Sequence, residues 1–209
     1  MITAVVGAGG KTSLIHALTA RYRAAGKRVF VTTSTHMYIE ADTLLTDDAA
    51  QLIEALETAG YVMAGLPRGE KIGPLSRETY EAVCHHADEV LIEADGARHM
   101  AVKVPREGEP VIDENVEEII VVCGLHALGK TVAEAAFYPE MVAEVLGTCK
   151  EKPLTFERIC TLIRHGYIEP LRRRYPNKKI IVHPVTNGTT EQQLLAEQMK
   201  REMSGILEE

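Results

Sequence analysis

The first two dozen residues constrain this chain more than any later stretch. Ile2 to Val6 is a short continuous apolar run, Gly7-Ala8-Gly9-Gly10-Lys11-Thr12-Ser13 follows at once, and from Lys11 to Ala25 the residues Leu14, Ile15, Leu18 and Tyr22 recur at helical spacing until Gly26. An apolar run with no polar alternation is the mark of a strand covered on both faces. Strand, glycine turn and helix in that order make a βα unit, and a helix that crosses back over a sheet delivers the next strand parallel to the first.

The same alternation continues along the chain. Strand-length runs are expected at Arg28 to Val31, Tyr61 to Ala64, Lys71 to Ile72, Glu89 to Ala94, Ile119 to Cys123 and Lys179 to His183. Between them, helices are expected after Asp47-Asp48 with Leu52, Ile53 and Leu56 inward, over Ser76 to Ala87, Pro139 to Leu146, Thr155 to Arg164 and Pro170 to Tyr175. A last one runs from Thr190 to Met203, with Thr189-x-x-Gln192 as a capping box. With 209 residues and 45% apolar content there is material for one full core. We expect a single α/β domain over residues 1–209, doubly wound, with a mostly parallel sheet and helices on both faces.

Placed between a buried strand and a helix, the glycine string reads as a phosphate site. Glycines let backbone N–H groups converge without Cβ clashes, and the helix N-terminus adds partial positive charge at the same point. Gly7, Ala8, Gly9, Gly10, Lys11, Thr12 and Ser13 would cradle the phosphates, with Lys11 on the β/γ-phosphates and the Thr12 hydroxyl on Mg²⁺. Val5 stands where the strict G-x-x-x-x-G-K-[ST] pattern has its first glycine, so what remains is a shorter G-x-x-G-K-T-S form that resembles the ATP loop of the Mur ligases. The fold expected is thus P-loop NTPase-like. A second string, Gly124-Leu125-His126-Ala127-Leu128-Gly129-Lys130-Thr131, fits the strict pattern letter for letter. Its bulky interior, the early Pro139 and the lack of an acidic strand end downstream mark it instead as a strand-to-helix connection.

Magnesium needs a carboxylate at the end of a neighbouring strand. Val90-Leu91-Ile92-Glu93-Ala94-Asp95-Gly96 supplies two, which period-two alternation points the same way. Asp95 is expected on the metal side with Thr12, and Glu93 as the group that orients or deprotonates water. Thr32, Thr33, Ser34 and Thr35 follow the second strand, where ligands of open α/β sheets sit. Past Gly96, a loop carrying Arg98, Lys103 and Arg106 reads equally as a phosphoryl-neutralising segment or a solvated one. Arg172, Arg173, Arg174, Lys178 and Lys179 read as dipole complements at a helix end, and the four cysteines as buried small hydrophobes. The last strand runs into His183-Pro184-Val185-Thr186-Asn187, which has neither the lysine nor the aspartate of a guanine-reading N-K-x-D string. ATP is therefore the expected nucleotide and GTP the lesser one.

A net charge of −7 argues against a nucleic-acid or anionic-lipid surface. No apolar stretch approaches the length of a membrane span, the N-terminus lacks a basic leader and the cysteines show no C-x-x-C spacing, so the chain reads as cytoplasmic.

Taken together, VVGAGGKTS, VTTSTHM, LIEADGARHMAVKVP with the later EPVI, and IIVVCGLHALGKT resemble the YqeC family. That resemblance implies an accessory protein for selenium-dependent molybdenum hydroxylases, with Lys11, Thr12, residues 32–35, Glu93 and Asp95 as its nucleotide site. The chain departs from the family at Phe137-Tyr138-Pro139-Glu140, where an H-R-P-E-like string is frequent, and at His183-Pro184-Val185-Thr186, where an N-x-x-D-like string is frequent. Two functions follow. One is an Mg²⁺-dependent nucleoside triphosphatase or phosphotransferase assisting maturation of a molybdenum hydroxylase or its cofactor. The other is a nucleotide-gated module that docks a partner protein through a loop such as 96–115 and hydrolyses little. A carboxylate-activating ligase fits less well, because the chain is short for the extra substrate domains such enzymes use.

Overall fold

The computed structural model describes residues 1–208. Its strands are β1 (Ile2–Gly7), β2 (Val29–Thr33), β3 (Met37–Tyr38), β4 (Thr43–Leu44), β5 (Tyr61–Ala64), β6 (Leu66–Arg68), β7 (Lys71–Gly73), β8 (Glu89–Glu93), β9 (Val102–Lys103), β10 (Glu118–Gly124), β11 (Ala136–Phe137) and β12 (Lys179–Val185). Its helices are α1 (Lys11–Ala24), α2 (Ala49–Ala59), α3 (Arg77–His86), α4 (Val132–Ala135), α5 (Pro139–Val145), α6 (Phe156–Ile163), α7 (Glu169–Arg174) and α8 (Thr190–Glu208). Seven strands form one parallel sheet in the order β12-β10-β1-β8-β2-β5-β4. The chain winds out from β1 in both directions, which is the doubly wound α/β topology expected. Every residue of β2, β8 and β10 is buried, so both faces of these strands are covered.

The chain divides into two compact units. The first comprises Met1–Val5, Thr12–Gly96 and Val111–Glu117; the second comprises Val6–Lys11, Ala97–Pro110 and the chain from Glu118 onward. In the first, β8 pairs in parallel with both β1 and β2, with Val5 opposite Glu93 and Thr33 opposite Glu93. Asp48 caps α2 by accepting from the amides of Ala50 and Gln51, and Gly60 ends it in the left-handed region at φ 66°. Ser76 caps α3 by accepting from the Thr79 amide. A small antiparallel sheet, β3-β7-β6, is appended.

In the second unit β10 and β12 pair in parallel over seven residues, and β9 pairs with β11. Helices α6 and α7, expected as separate elements, are joined by a π-helical turn over Arg164–Ile168. The wider turn carries the chain past Pro170, which has no N–H to give a regular helix. The capping box expected at Thr189 is half formed. Thr189 Oγ1 accepts from the Gln192 amide, but the Gln192 side chain accepts from the Asn187 amide and donates to the Leu125 carbonyl. Of the cysteines, Cys123 and Cys160 are buried, Cys84 is half-buried, and Cys149 is exposed, unlike the packing role expected. No helix among the described residues is long and apolar enough to cross a membrane.

Candidate functional site

The glycine string turns sharply where β1 ends. Gly7, Gly9 and Gly10 all have positive φ, at 98°, 81° and 142°, a region closed to most L side chains. Space forbids a side chain as well. A Cβ on Gly7 would stand 2.0 Å from the Val122 carbonyl oxygen, and one on Gly9 would meet the Ala101 carbonyl oxygen at 2.6 Å and the Gly124 Cα at 2.7 Å. The Ala8 amide donates to the Val122 carbonyl at 3.0 Å, which clamps the turn onto β10. The amides of Gly9 and Gly10 have no acceptor among the described residues. They lead directly into the first turn of α1, whose N–H groups are the unsatisfied donors of any helix start.

Lys11 is 5% exposed, and its ammonium donates to the Gly7 carbonyl at 2.9 Å, folding back across its own loop. One residue on, the Thr12 hydroxyl donates to Glu93 Oε2 at 3.1 Å. With its proton on Glu93, Thr12 keeps its lone pairs for a cation. The carboxylate that meets Thr12 is thus Glu93, 7% exposed at the end of β8, while Asp95, two residues further, is fully buried. Ser13 is exposed on the helix start.

The hydroxyls after β2 are largely engaged by backbone. Thr32 donates to the Ala64 carbonyl at 2.9 Å, Thr33 to the Glu93 carbonyl at 2.8 Å, and Ser34 to the Val111 carbonyl at 2.6 Å. Thr33 also accepts from the Thr35 amide at 3.0 Å. The Thr35 hydroxyl is buried with no partner among the described residues. These residues therefore stitch β2 to β5, to β8 and to the segment that starts at Val111.

The cations beyond Gly96 are tied down. Lys103 is 1% exposed and pairs with Glu109 at 2.8 Å, and Arg106 pairs with the same carboxylate at 3.2 Å. Burial acts to raise the Glu109 pKa, but the Lys103 and Arg106 partners outweigh it and hold it below the usual range. Arg98 lies over the Phe137 ring at 5.6 Å and Arg106 over the Tyr138 ring at 4.8 Å. Among the described residues, Arg98, His99 and Tyr138 are the non-glycine residues with positive φ. Sequence reading missed the Lys103–Glu109 pair, although the apolar neighbours Ala101, Val102 and Val104 were a signal that Lys103 enters a core. The basic cluster further on divides: Arg172 donates to the Ile206 carbonyl near the end of α8, whereas Lys179, expected at a helix end, opens β12 and pairs with Glu118 of β10 at 2.7 Å.

The second glycine string takes a different form. Leu125–Ala127 is a 3₁₀ turn with Leu125 and Ala127 buried, and Lys130 is exposed. The Thr131 hydroxyl is committed to a capping box with Glu134 that starts the four-residue α4. Among the described residues no group of three or more His, Cys, Asp or Glu is arranged to hold a metal ion. In the second unit the first string thus offers the amides of Gly9 and Gly10 and the Lys11 ammonium, and in the first unit Thr12 offers a hydroxyl held by the Glu93 carboxylate.

The YqeC protein family model matches residues 3–140. The chain is 33% identical over 173 residues to "Uncharacterized protein YqeC" of Escherichia coli (strain K12), a span covering 78% of this chain and 68% of that protein. Among solved structures it is similar to a chain of the MinC:MinD cell division protein complex of Aquifex aeolicus, over 97% of this chain and 96% of that one, at 11% identity and a TM-score of 0.38. Since the family match takes in the glycine turn, the acidic end of β8, the Lys103 segment and the whole of the second string, this chain belongs to the YqeC family.

Proposed function

We propose that this protein binds a nucleoside triphosphate, ATP in preference to GTP, together with Mg²⁺, and uses it as a phosphohydrolase or phosphotransferase in the maturation of a molybdenum hydroxylase or its cofactor. The observation that carries the reading is the Thr12–Glu93 hydrogen bond of 3.1 Å, beside a glycine turn with open amides. A hydroxyl that donates to a strand-end carboxylate while its lone pairs stay available is a fitting ligand pair for a hard divalent cation. Thr12 and Asp95 would hold Mg²⁺, with Glu93 fixing Thr12 and orienting water. When bound, the ion supplies charge neutralisation between the terminal phosphates. Lys11 would leave the Gly7 carbonyl for a phosphate oxygen, and the Gly9 and Gly10 amides would donate to the same anion. The link to molybdenum hydroxylases comes from the family alone.

The test is calorimetry with ATP–Mg²⁺ and GTP–Mg²⁺, followed by phosphate release, on wild type and Lys11→Ala. Loss of the ammonium should weaken triphosphate binding at least tenfold. Equal heats, or equal turnover, would remove the loop from the mechanism.

A second reading, a nucleotide-gated docking module, is favoured by one feature. The Ala101 carbonyl packs against Gly9 and accepts from the Gly124 amide at 2.9 Å, so segment 97–110 rests on the glycine turn itself. Occupancy of the turn would then reach a partner-docking segment directly. Hydrogen exchange of residues 97–110 with and without ATP–Mg²⁺ separates the readings: slowed exchange without turnover supports the module, and unchanged exchange refutes it.

A further inference from the structure

A cleft of about 290 Å³ opens in the first unit beside the carboxyl ends of β2 and β8. Its walls include Leu75, Tyr80, Ile92 and Val111, with Thr32 to Ser34 beneath and Arg77 and Asp113 at the mouth. Three observations say what it would hold.

The first concerns Val111. Its carbonyl accepts from Ser34 Oγ at 2.6 Å and its amide donates to the Ala94 carbonyl at 3.1 Å, so its backbone is fixed at both ends. Yet its side chain remains one of the exposed large apolar groups, at 45%. A valine pinned in place and left uncovered presents a permanent apolar wall. Secondly, the Tyr80 hydroxyl is buried beside the Cys84 thiol, and the ring lies against the fold at 6.4 Å from Phe30. Tyr80 therefore offers the cleft its ring and not its hydroxyl, a second fixed apolar surface. The third is charge. Arg77, the cation at the mouth, is already paired with Glu81 at 2.7 Å and with Glu114, and Asp113 adds a further acid. The field at the entrance is therefore net negative, which repels anions and tolerates neutral or cationic groups.

We propose that this cleft binds a small ring compound, neutral or singly cationic, that carries an N–H or amino donor. The apolar walls, the Tyr80 ring among them, cover the ring faces, and Asp113 accepts from the donor. Two of the cleft's lining residues are held by β8: Thr33 Oγ1 and the Ser34 amide both donate to the Glu93 carbonyl, at 2.8 and 3.2 Å. The binding of this compound does not depend on the nucleotide reading above.

Three isosteric probes test the charge rule directly: benzamidine (cation), benzamide (neutral) and benzoate (anion), each titrated to millimolar concentration against the ¹⁵N-labelled full chain. Benzamidine and benzamide should shift the amides of Thr32 to Ser34, Tyr80 and Val111, and benzoate should not. Asp113→Asn, which removes the charge and keeps the shape, should weaken the benzamidine shift at least threefold. Leu75→Trp should fill the cleft and abolish it. Benzoate binding as tightly as benzamidine, no shift at these residues from any probe, or an undiminished shift in both variants would each overturn the proposal. ATP–Mg²⁺ titrated into Leu75→Trp reports on the other reading separately: its shifts belong to residues 9–13 and their presence or absence bears on the nucleotide, not on the cleft.

Discussion

Gly7→Ala isolates the demand that the glycine turn makes on the fold. The new methyl would have to occupy a backbone conformation of φ +98°, which costs a non-glycine residue about 1–3 kcal/mol. It would also stand 2.0 Å from the Val122 carbonyl oxygen and 2.9 Å from the Val122 nitrogen, both backbone atoms of a buried strand that no rotamer change can move aside. Relieving that overlap means displacing β10 or the turn, a strain of about 1–3 kcal/mol. The displacement also endangers the Ala8–Val122 hydrogen bond, worth about 1 kcal/mol. The expected loss is about 3–7 kcal/mol, a large share of the roughly 5–15 kcal/mol that holds a domain together. Gly26→Ala is the matched control: φ is +75° there, but nothing lies within 4 Å of its Cβ, so the conformational cost of about 1–2 kcal/mol acts alone. In urea melts, with a slope of about 3 kcal/mol per M, Gly7→Ala should lower the midpoint by about 1–2 M and Gly26→Ala by about 0.5 M. Equal midpoint shifts for the two would refute the claim that close approach to β10, rather than φ alone, requires glycine at position 7.

Three further predictions rest on side-chain environments. The Arg28 side chain and amide hold Asp88 well below the usual carboxylate range, at about 2. A depressed acid stabilises the fold above its unfolded value and loses that contribution as pH falls toward 2. A carboxyl NMR titration should follow this, and Arg28→Met should move the Asp88 midpoint only part of the way back up, because the amide of residue 28 still donates to it. Burial, with Lys200 adding to it, lowers the His183 pKa, so the folded state prefers the neutral ring. Stability from this residue is complete above about pH 6.5 and declines as pH drops below it, and His183→Gln should show a smaller loss between pH 7 and 5 in the same melts. Finally, burial pushes the Cys84 thiol up to about 11 and the Cys160 thiol up to about 12, while Cys149 is exposed. Iodoacetamide at pH 8 should label the native protein once, and Cys149→Ser should remove that label; early modification of Cys84 or Cys160 would contradict their burial.

How much of this could be read in advance follows from what each element uses to hold its place. Strands β8 and β10 declare themselves because burial on both faces demands unbroken apolar letters, and their observed bounds differ from the expected ones by a residue. Strand β2 was expected to stop at Val31, but Thr32 and Thr33 continue it, both 2% exposed. Their hydroxyls donate to the Ala64 and Glu93 carbonyls, so polar letters pass inside a buried strand by using up their own hydrogen bonds. Strands β3, β4, β9 and β11 have two residues each, too few for any period to show. The cleft was invisible for another reason. Leu75, Tyr80, Ile92 and Val111 are spread over four segments, and no spacing along the chain reports that the fold leaves a gap among them.

The two glycine strings show where a letter pattern stops being physical evidence. An anion cradle needs amides that converge, and convergence needs positive φ at several positions within a few residues. The first string achieves this at Gly7, Gly9 and Gly10 despite missing the first glycine of the strict pattern. In the second, which has every letter, Gly124 lies at φ −87° as an extension of β10 and Gly129 alone turns left-handed. What decides between them sits outside the pattern. Leu125 and Ala127 are fully buried and pull their turn into the core, and Glu134, three residues past Thr131, claims that hydroxyl and amide for a helix cap. The T-x-x-E spacing of a capping box was present in the sequence all along. The Thr131 oxygen already accepts from the Glu134 amide of its own helix, whereas Thr12, at the start of α1, finds its carboxylate eighty-one residues away at the end of β8, the strand paired with β1. Long-range pairing of that kind, more than the glycines themselves, distinguishes the two strings.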